Sequence, residues 1–233
     1  MSTALLTLAS SALLALGACG ASRADNAGTT ANDGVSAGPT TVARPAPDTS
    51  LAVAYLAGGC FWCTEASFER IRGVQAVVSG YSGGDADDAT YKKVAAGLTD
   101  HAEAIAVYYD STIVDYRTLL EVFFVAHDPT TLNRQGPDVG RQYRSSIFYR
   151  SPREQVLAKA VIDSVNAAGR YSSPIVTEVV PFEAFYDAED YHQDYLEDPS
   201  NPNQGYVQNV SWPKVRKVVK EFEGRGLIKD EYL

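Results

Sequence analysis

The chain has 233 residues, 45% of them hydrophobic, which suffices for one domain with a buried core and some additional chain. Its net charge is −9 and it carries no Lys/Arg block, which argues against nucleic-acid binding. Three cysteines, Cys19, Cys60 and Cys63, are too few for a disulfide-stapled scaffold.

The apolar run "LLTLASSALLALGAC" is too short and too weakly flanked to span a membrane, and it has the form of a secretory h-region. Its ending, Leu16-Gly17-Ala18-Cys19, resembles the cleavage box of bacterial lipoproteins, which implies a signal peptide over residues 1–19 and a lipid carried by Cys19. No Lys or Arg precedes Cys19, so the usual positive n-region is missing; secretion to the periplasm by an ordinary signal peptide is the alternative. Residues 20–50 hold no aromatic and few large apolar side chains, and are expected to form a disordered tether. About 30 such residues reach on the order of 30 Å, enough to hold a domain off a membrane surface. Gly20, rather than an Asp, follows the cysteine, and the resemblance then favours the outer membrane. The expected location is the bacterial cell envelope, facing the periplasm, with membrane contact only through the anchor.

Residues 51–233 are the expected folded domain. "LAVAYLAGG" reads as a buried strand closed by Gly-Gly. Thr64–Arg72 reads as a helix ended by Gly73, followed by a strand in "VQAVVSGY" and another over Ala104–Tyr109. Tyr116, Leu119, Leu120, Phe123 and Phe124 recur at helical spacing, so Asp115–Ala126 is predicted to be an amphipathic helix. "SSIFY" reads as a short strand. Ser151-Pro152-Arg153-Glu154 has the form of a capping box with Pro at the first helical position, opening a helix with Val156, Leu157, Ala160, Val161 and Val165 inward. Ile175–Val180 is strand-like, and a last helix is expected over Trp212–Glu223. The loops Ser82–Asp88 and Asp128–Gly140 are long and polar, which usually marks function. The pattern predicts an α+β fold, a two-layer sandwich with a ferredoxin-like split β-α-β core.

Cys60 and Cys63 form a C-x-x-C pair where a strand is expected to give way to a helix. A thiol there faces free N–H groups and the positive end of the helix dipole, which should lower its pKa. The pair could be a redox disulfide, a structural pair, or half a zinc site. Zinc is poorly supported: the domain has no third cysteine, and His101, His127 and His192 are isolated in the sequence.

Four segments decide among these readings: "GGCFWCTEASFERIRGVQAVVSGYSGG", "TYKKVAAGLTDHAEAIAVYYD", "FFVAHDPTTLNRQGPDVGRQYRSSIFY" and "YHQDYLEDPSNPNQGY". Together they resemble the A-type peptide methionine sulfoxide reductase family, collinearly from about Leu51 to about Glu223. The resemblance implies reduction of the S epimer of methionine sulfoxide, free or in oxidised proteins, as a repair reaction after oxidative damage. It implies Cys60 as nucleophile, Glu103 as the acid that protonates the sulfoxide oxygen, and Phe61 and Trp62 as the pocket for the substrate methyl group. Tyr91 and Tyr143 would donate hydrogen bonds to that oxygen, and Asp138 would help fix the site. A carboxylic acid serves only if burial raises its pKa. The sulfenic acid formed on Cys60 then needs a second thiol or an external dithiol. Some family members place cysteines near the carboxy terminus; this chain has none after Cys63 and carries Val207 at one such place. Cys63 is therefore the favoured resolving thiol, direct attack by the external reductant being the alternative. No cofactor or metal is expected, only an external dithiol such as thioredoxin or an envelope thioredoxin-like protein, and the chain is expected to be a monomer. Two other classes fit the pattern less well: a lipid-anchored binding protein that has lost catalysis, and a general thiol–disulfide exchange protein.

Overall fold

The computed structural model describes residues 50–233; the signal-like segment, Cys19 and nearly all of the expected tether lie outside the described residues. In chain order the elements are β1 (Ala52–Gly58), α1 (Phe61–Glu69), β2 (Val74–Ser82), α2 (Tyr91–Ala95), β3 (Ala102–Tyr109) and α3 (Tyr116–Ala126). There follow a small hairpin of β4 (Arg134–Gln135) and β5 (Asp138–Val139), then β6 (Ser145–Tyr149), α4 (Pro152–Ala167), β7 (Glu178–Pro181) and β8 (Phe185–Asp187). The chain closes with a short turn α5 (Gln204–Tyr206), a wide π turn over Val207–Ser211, and α6 (Trp212–Phe222).

Six strands form one mixed sheet in the order β7-β6-β1-β3-β2-β8. The inner four, β6-β1-β3-β2, pair antiparallel throughout, and β1 and β2 are separated by β3. That is the predicted ferredoxin-like split β-α-β core. β7 extends it in parallel beside β6, and β8 antiparallel beside β2. The register sets Tyr81 opposite Glu103, so the cleft-facing end of β3 is fixed by its pairing with β2.

Helices α1, α3, α4 and α6 share one core with one face of the sheet, through Leu56, Phe68, Ile105, Leu120, Phe123, Val161 and Val218. The opposite face carries Tyr55, Ala57, Val78, Ala102, Ala104, Ala106 and Phe148, and is covered by the strap between β7 and β8. Tyr55 stacks on Phe182 of that strap at 3.9 Å and 12°. The run of alanines is what lets a single layer of chain lie so close. A Cβ on Gly80 would stand 2.4 Å from the Tyr186 carbonyl oxygen, so that position needs glycine for space.

Several boundaries differ from the expected ones for local reasons. α1 begins at Phe61, three residues before the expected Thr64, because Cys60 itself is the cap and the bulky Phe61 and Trp62 fill the first turn. It ends at Glu69, so Gly73 is not its terminating glycine; at φ +91° it turns the chain into β2. β3 begins at Ala102, which places Glu103 within the strand. The cap at Ser151 forms as read, its Oγ accepting from Glu154 N at 3.2 Å, and Asp115, expected as the first residue of its helix, is instead the cap of α3, its Oδ1 accepting from Thr118 N at 2.8 Å. Glu154 reaches back to Arg150 N, one residue earlier than a capping box requires. On α4 the buried face is Ala158 and Val161, while Val156 and Ala160 are exposed. The last helical run starts at Gln204 rather than Trp212. Its wide turn sits just before Pro213, whose ring lacks an N–H and excludes the carbonyl four residues back.

Candidate active site

The site is built at the end of β1. Gly58 and Gly59 end the strand, and Gly59 holds φ +90° with its Cβ position 2.4 Å from Gln135 Cγ. Only glycine fits that turn, which delivers Cys60 to the start of α1. The Cys63 N–H closes on the Cys60 carbonyl at 3.1 Å, so Cys63 stands one turn in. Both cysteines are free thiols and buried, Cys60 at 5% exposure and Cys63 at 1%.

A cleft of about 220 Å³ opens over Cys60, lined by Trp62, Tyr91, Glu103, Asp138, Tyr143, Asn203 and Tyr206 as well. Six of the residues singled out in the sequence thus meet in one place, from α1, α2, β3, the β4–β5 hairpin and the turn before β6. Cys63 lies beside Cys60 and behind the cleft. Phe61 is fully buried behind it too, with its ring 5.8 Å from Tyr81 and 5.1 Å from His192.

The Glu103 carboxyl is 2% exposed, and burial pushes its pKa up to about 8, with the charges of Asp138 and Cys63 adding to the rise. Its Oε2 accepts from the Phe61 N–H at 3.1 Å, which opposes the shift and leaves the acid proton to the other oxygen. At neutral pH Glu103 is therefore mostly a neutral acid. Tyr91 is pushed up to about 12 by burial and by Glu103, and Tyr143 is raised further by the same causes, so both remain proton donors.

The two thiols differ from expectation. Burial raises Cys60 well above an ordinary thiol, reinforced by Cys63 and Glu103 and opposed by the nearby Tyr206 hydroxyl. Cys63 falls to about 7, because Cys60 donates to it and Lys214 and Ser211 face it, against the cost of burial. The start of α1 is sealed from water, so desolvation outweighs the dipole at Cys60. Of the two thiols, Cys63 is therefore the one that ionises first.

Trp62 is held on three sides. Its Nε1–H donates to His192 Nδ1 at 3.0 Å, its ring stacks on Tyr195 at 3.8 Å and 7°, and Tyr206 meets it edge-on at 6.0 Å. Burial drives His192 down to about 4, so it stays a neutral acceptor. Tyr206 also donates to Asp138 Oδ2 at 2.6 Å, joining the carboxy-terminal segment to the hairpin. His127 plays a structural part, bridging the Phe123 carbonyl and Ser145 Oγ at 2.7 Å each. Sequence reasoning did not single out Tyr206, Asn203, His192 or Tyr195. All four lie in the segment "YHQDYLEDPSNPNQGY" that helps carry the family resemblance, which was their signal, though no role was assigned to them from it.

Beneath Trp62, Glu65 and Glu69 of α1 are close enough to Asp194 to be raised by its charge. Burial pushes Glu69 up to about 8, and Glu65 is raised by burial first and then by Glu69 and Asp194. Unfolded, both would release their protons near the ordinary carboxyl value of about 4.3. The folded state holds them to higher pH, so stability is greatest below that value and falls as pH rises towards about 8. The urea midpoint should be lower at pH 8 than at pH 5, and Glu69→Gln should flatten that slope; an unchanged slope would remove these carboxyls as its source.

A buried thiol that can accept oxygen, a second thiol one helical turn away and a neutral carboxyl over both define a thiol-dependent oxidoreductase on an α+β scaffold. The profile of the family described as peptide methionine sulfoxide reductase matches residues 52–225. The peptide methionine sulfoxide reductase MsrA of Natronomonas pharaonis is 51% identical over 171 residues, 73% of this chain and 95% of the relative. That of Ralstonia nicotianae is 48% identical over 180 residues, 76% of this chain and 93% of the relative. Among solved structures, reduced Mxr1 from Saccharomyces cerevisiae superposes with a TM-score of 0.62 at 34% identity, covering 66% of this chain and 89% of that one. Methionine sulfoxide reductase A of Corynebacterium diphtheriae gives 0.58 at 32% identity, covering 67% and 80%. The chain belongs to the peptide methionine sulfoxide reductase family, and is an oxidoreductase that reduces methionine sulfoxide with thiols.

Proposed function

We propose that the chain reduces the S epimer of methionine sulfoxide, free and in oxidised proteins, through the residues gathered at Cys60. Trp62 walls the cleft against the substrate methyl group, with Phe61 backing it, while Tyr91 and Tyr143 donate to the sulfoxide oxygen and Asp138 braces the site through Tyr206. Cys60 passes its proton to Cys63 and attacks the sulfoxide sulfur. Glu103 protonates the oxygen, which transfers to Cys60 as methionine leaves. Cys60 is now a sulfenic acid, Cys63 a thiol and Glu103 a carboxylate. Cys63 then attacks the Cys60 sulfur, its proton leaves with the hydroxide as water, and a Cys60–Cys63 disulfide remains. An external dithiol, a thioredoxin-like protein by chemistry, reduces the disulfide, and Glu103 regains its proton from water.

The observation that carries this reading is a buried carboxyl held neutral within one cleft with a buried thiol. Incubated with racemic methionine sulfoxide and dithiothreitol, the full chain should consume only the S epimer, and Cys60→Ser should consume neither. Wild-type protein that consumed neither epimer would sink the proposal.

The lipoprotein-like box at Cys19 supports a lipid anchor in the cell envelope, which would require the reductant to reside there too. Palmitate labelling should be lost in Cys19→Ala; labelling that persisted would reject the anchor.

A further inference from the structure

Cys63 is 1% exposed, yet two polar side chains of the carboxy-terminal segment converge on its sulfur. Ser211 Oγ lies 3.3 Å from Sγ and Lys214 Nζ 4.0 Å, from positions 148 and 151 residues further along the chain. Ser211 is fully buried. Among the described residues, neither side chain makes another hydrogen bond or ion pair. A lysine turned inward towards a neutral thiol would lose hydration for almost no return. Turned towards a thiolate, it and a hydroxyl donor supply what a buried anion needs.

We propose that Lys214 and Ser211 are positioning residues for the resolving step, holding Cys63 as the thiolate that attacks the Cys60 sulfenic acid. The proposal rests on the reading of Cys63 as the resolving thiol. The S–S bond forms as the Cys60 S–O bond breaks. Cys60 is reduced from sulfenic acid to disulfide, Cys63 is oxidised to it, and the hydroxide departs as water. Lys214 and Ser211 change neither bonds nor oxidation state; they set the fraction of Cys63 ready to attack. The other groups facing Cys63 pull in different directions: Cys60 lowers it as a donor, Asp138 raises it, and the charge on Cys63 in turn raises Glu103 and Tyr206.

The test uses the full reduced chain mixed with one equivalent of S-methionine sulfoxide, without external thiol, and quenched in acid over time. Mass spectrometry reads methionine release and the Cys60–Cys63 disulfide in the same samples across pH 5–9. In the wild type the disulfide step should rise with pH through about 7. In Lys214→Met that midpoint should move up by about one pH unit, and Ser211→Ala should move it in the same direction. At pH 6 the disulfide step of Lys214→Met should fall about threefold relative to methionine release, since a roughly tenfold loss of thiolate is partly offset by the greater nucleophilicity of the more basic one. Lys214→Arg should keep the wild-type midpoint. A slower disulfide step with an unmoved midpoint would mark a merely structural role and overturn the proposal. Wild-type protein that released methionine yet formed no Cys60–Cys63 disulfide would instead overturn the resolving role of Cys63.

Discussion

Glu103→Gln should slow oxygen transfer from methionine sulfoxide by about 10²–10⁴-fold, the usual range for removal of a general acid. The amide keeps the size of the side chain and can still accept from the Phe61 N–H, so the local fold should survive. What it lacks is a proton to give. The wild type carries a second signature of the same group. With a folded pKa of about 8, Glu103 is protonated below that value and ionised above it, so the single-turnover rate, which rises as Cys63 ionises near pH 7 and can take the Cys60 proton, should decline above about pH 8. In Glu103→Gln the slow residual rate should not show that decline. A variant within a few-fold of wild type would remove Glu103 as the acid.

Cys63→Ser should have the second large effect, at a different step. One equivalent of substrate should still release one equivalent of methionine, after which intact mass should show Cys60 carrying one added oxygen, the sulfenic acid. Turnover with a thioredoxin-type reductant should fall at least tenfold, because that protein is suited to opening a disulfide and none forms. Small thiols at high concentration should recover part of the rate by attacking the sulfenic acid directly. Unchanged thioredoxin-supported turnover would reject Cys63 as the resolving thiol and leave direct attack by the reductant.

Local signals in the sequence were sufficient for much of the scaffold. The apolar spacing of Leu119, Leu120 and Phe123, the cap at Ser151 and the strand before Gly58 all concern residues a few positions apart, and all appear where expected. The start of α1 lies at Phe61 rather than the expected Thr64, because two bulky aromatics at a strand–helix junction carry no local signal for a first helical turn. The strap through Phe182 and Phe185 was illegible because β8 is three residues long and gains its meaning only from lying on the sheet. The site divides in the same way. Cys60 announces itself by its junction and Glu103 by its motif. The Tyr206–Asp138 contact spans 68 residues and the Cys63–Ser211 contact 148, and neither leaves a local trace in the chain. The electrostatics were legible only in part. A helix start suggested an acidic Cys60, but burial reverses that and leaves Cys63 the more acidic thiol, because desolvation depends on what covers the site.

The narrowness of the cleft over Cys60 bears on which damage is repaired first. At about 220 Å³ it admits a side chain and not a folded segment, and its thiol lies below the surface. A sulfoxide packed in a client protein's interior cannot reach that depth until its own segment lifts away. The rate of repair at each position should then follow how often the client opens locally, a property of the client's stability map and not of this enzyme. Sulfoxides that themselves loosen the packing around them would be served soonest, so that the lesion, by destabilising its host, selects itself for removal.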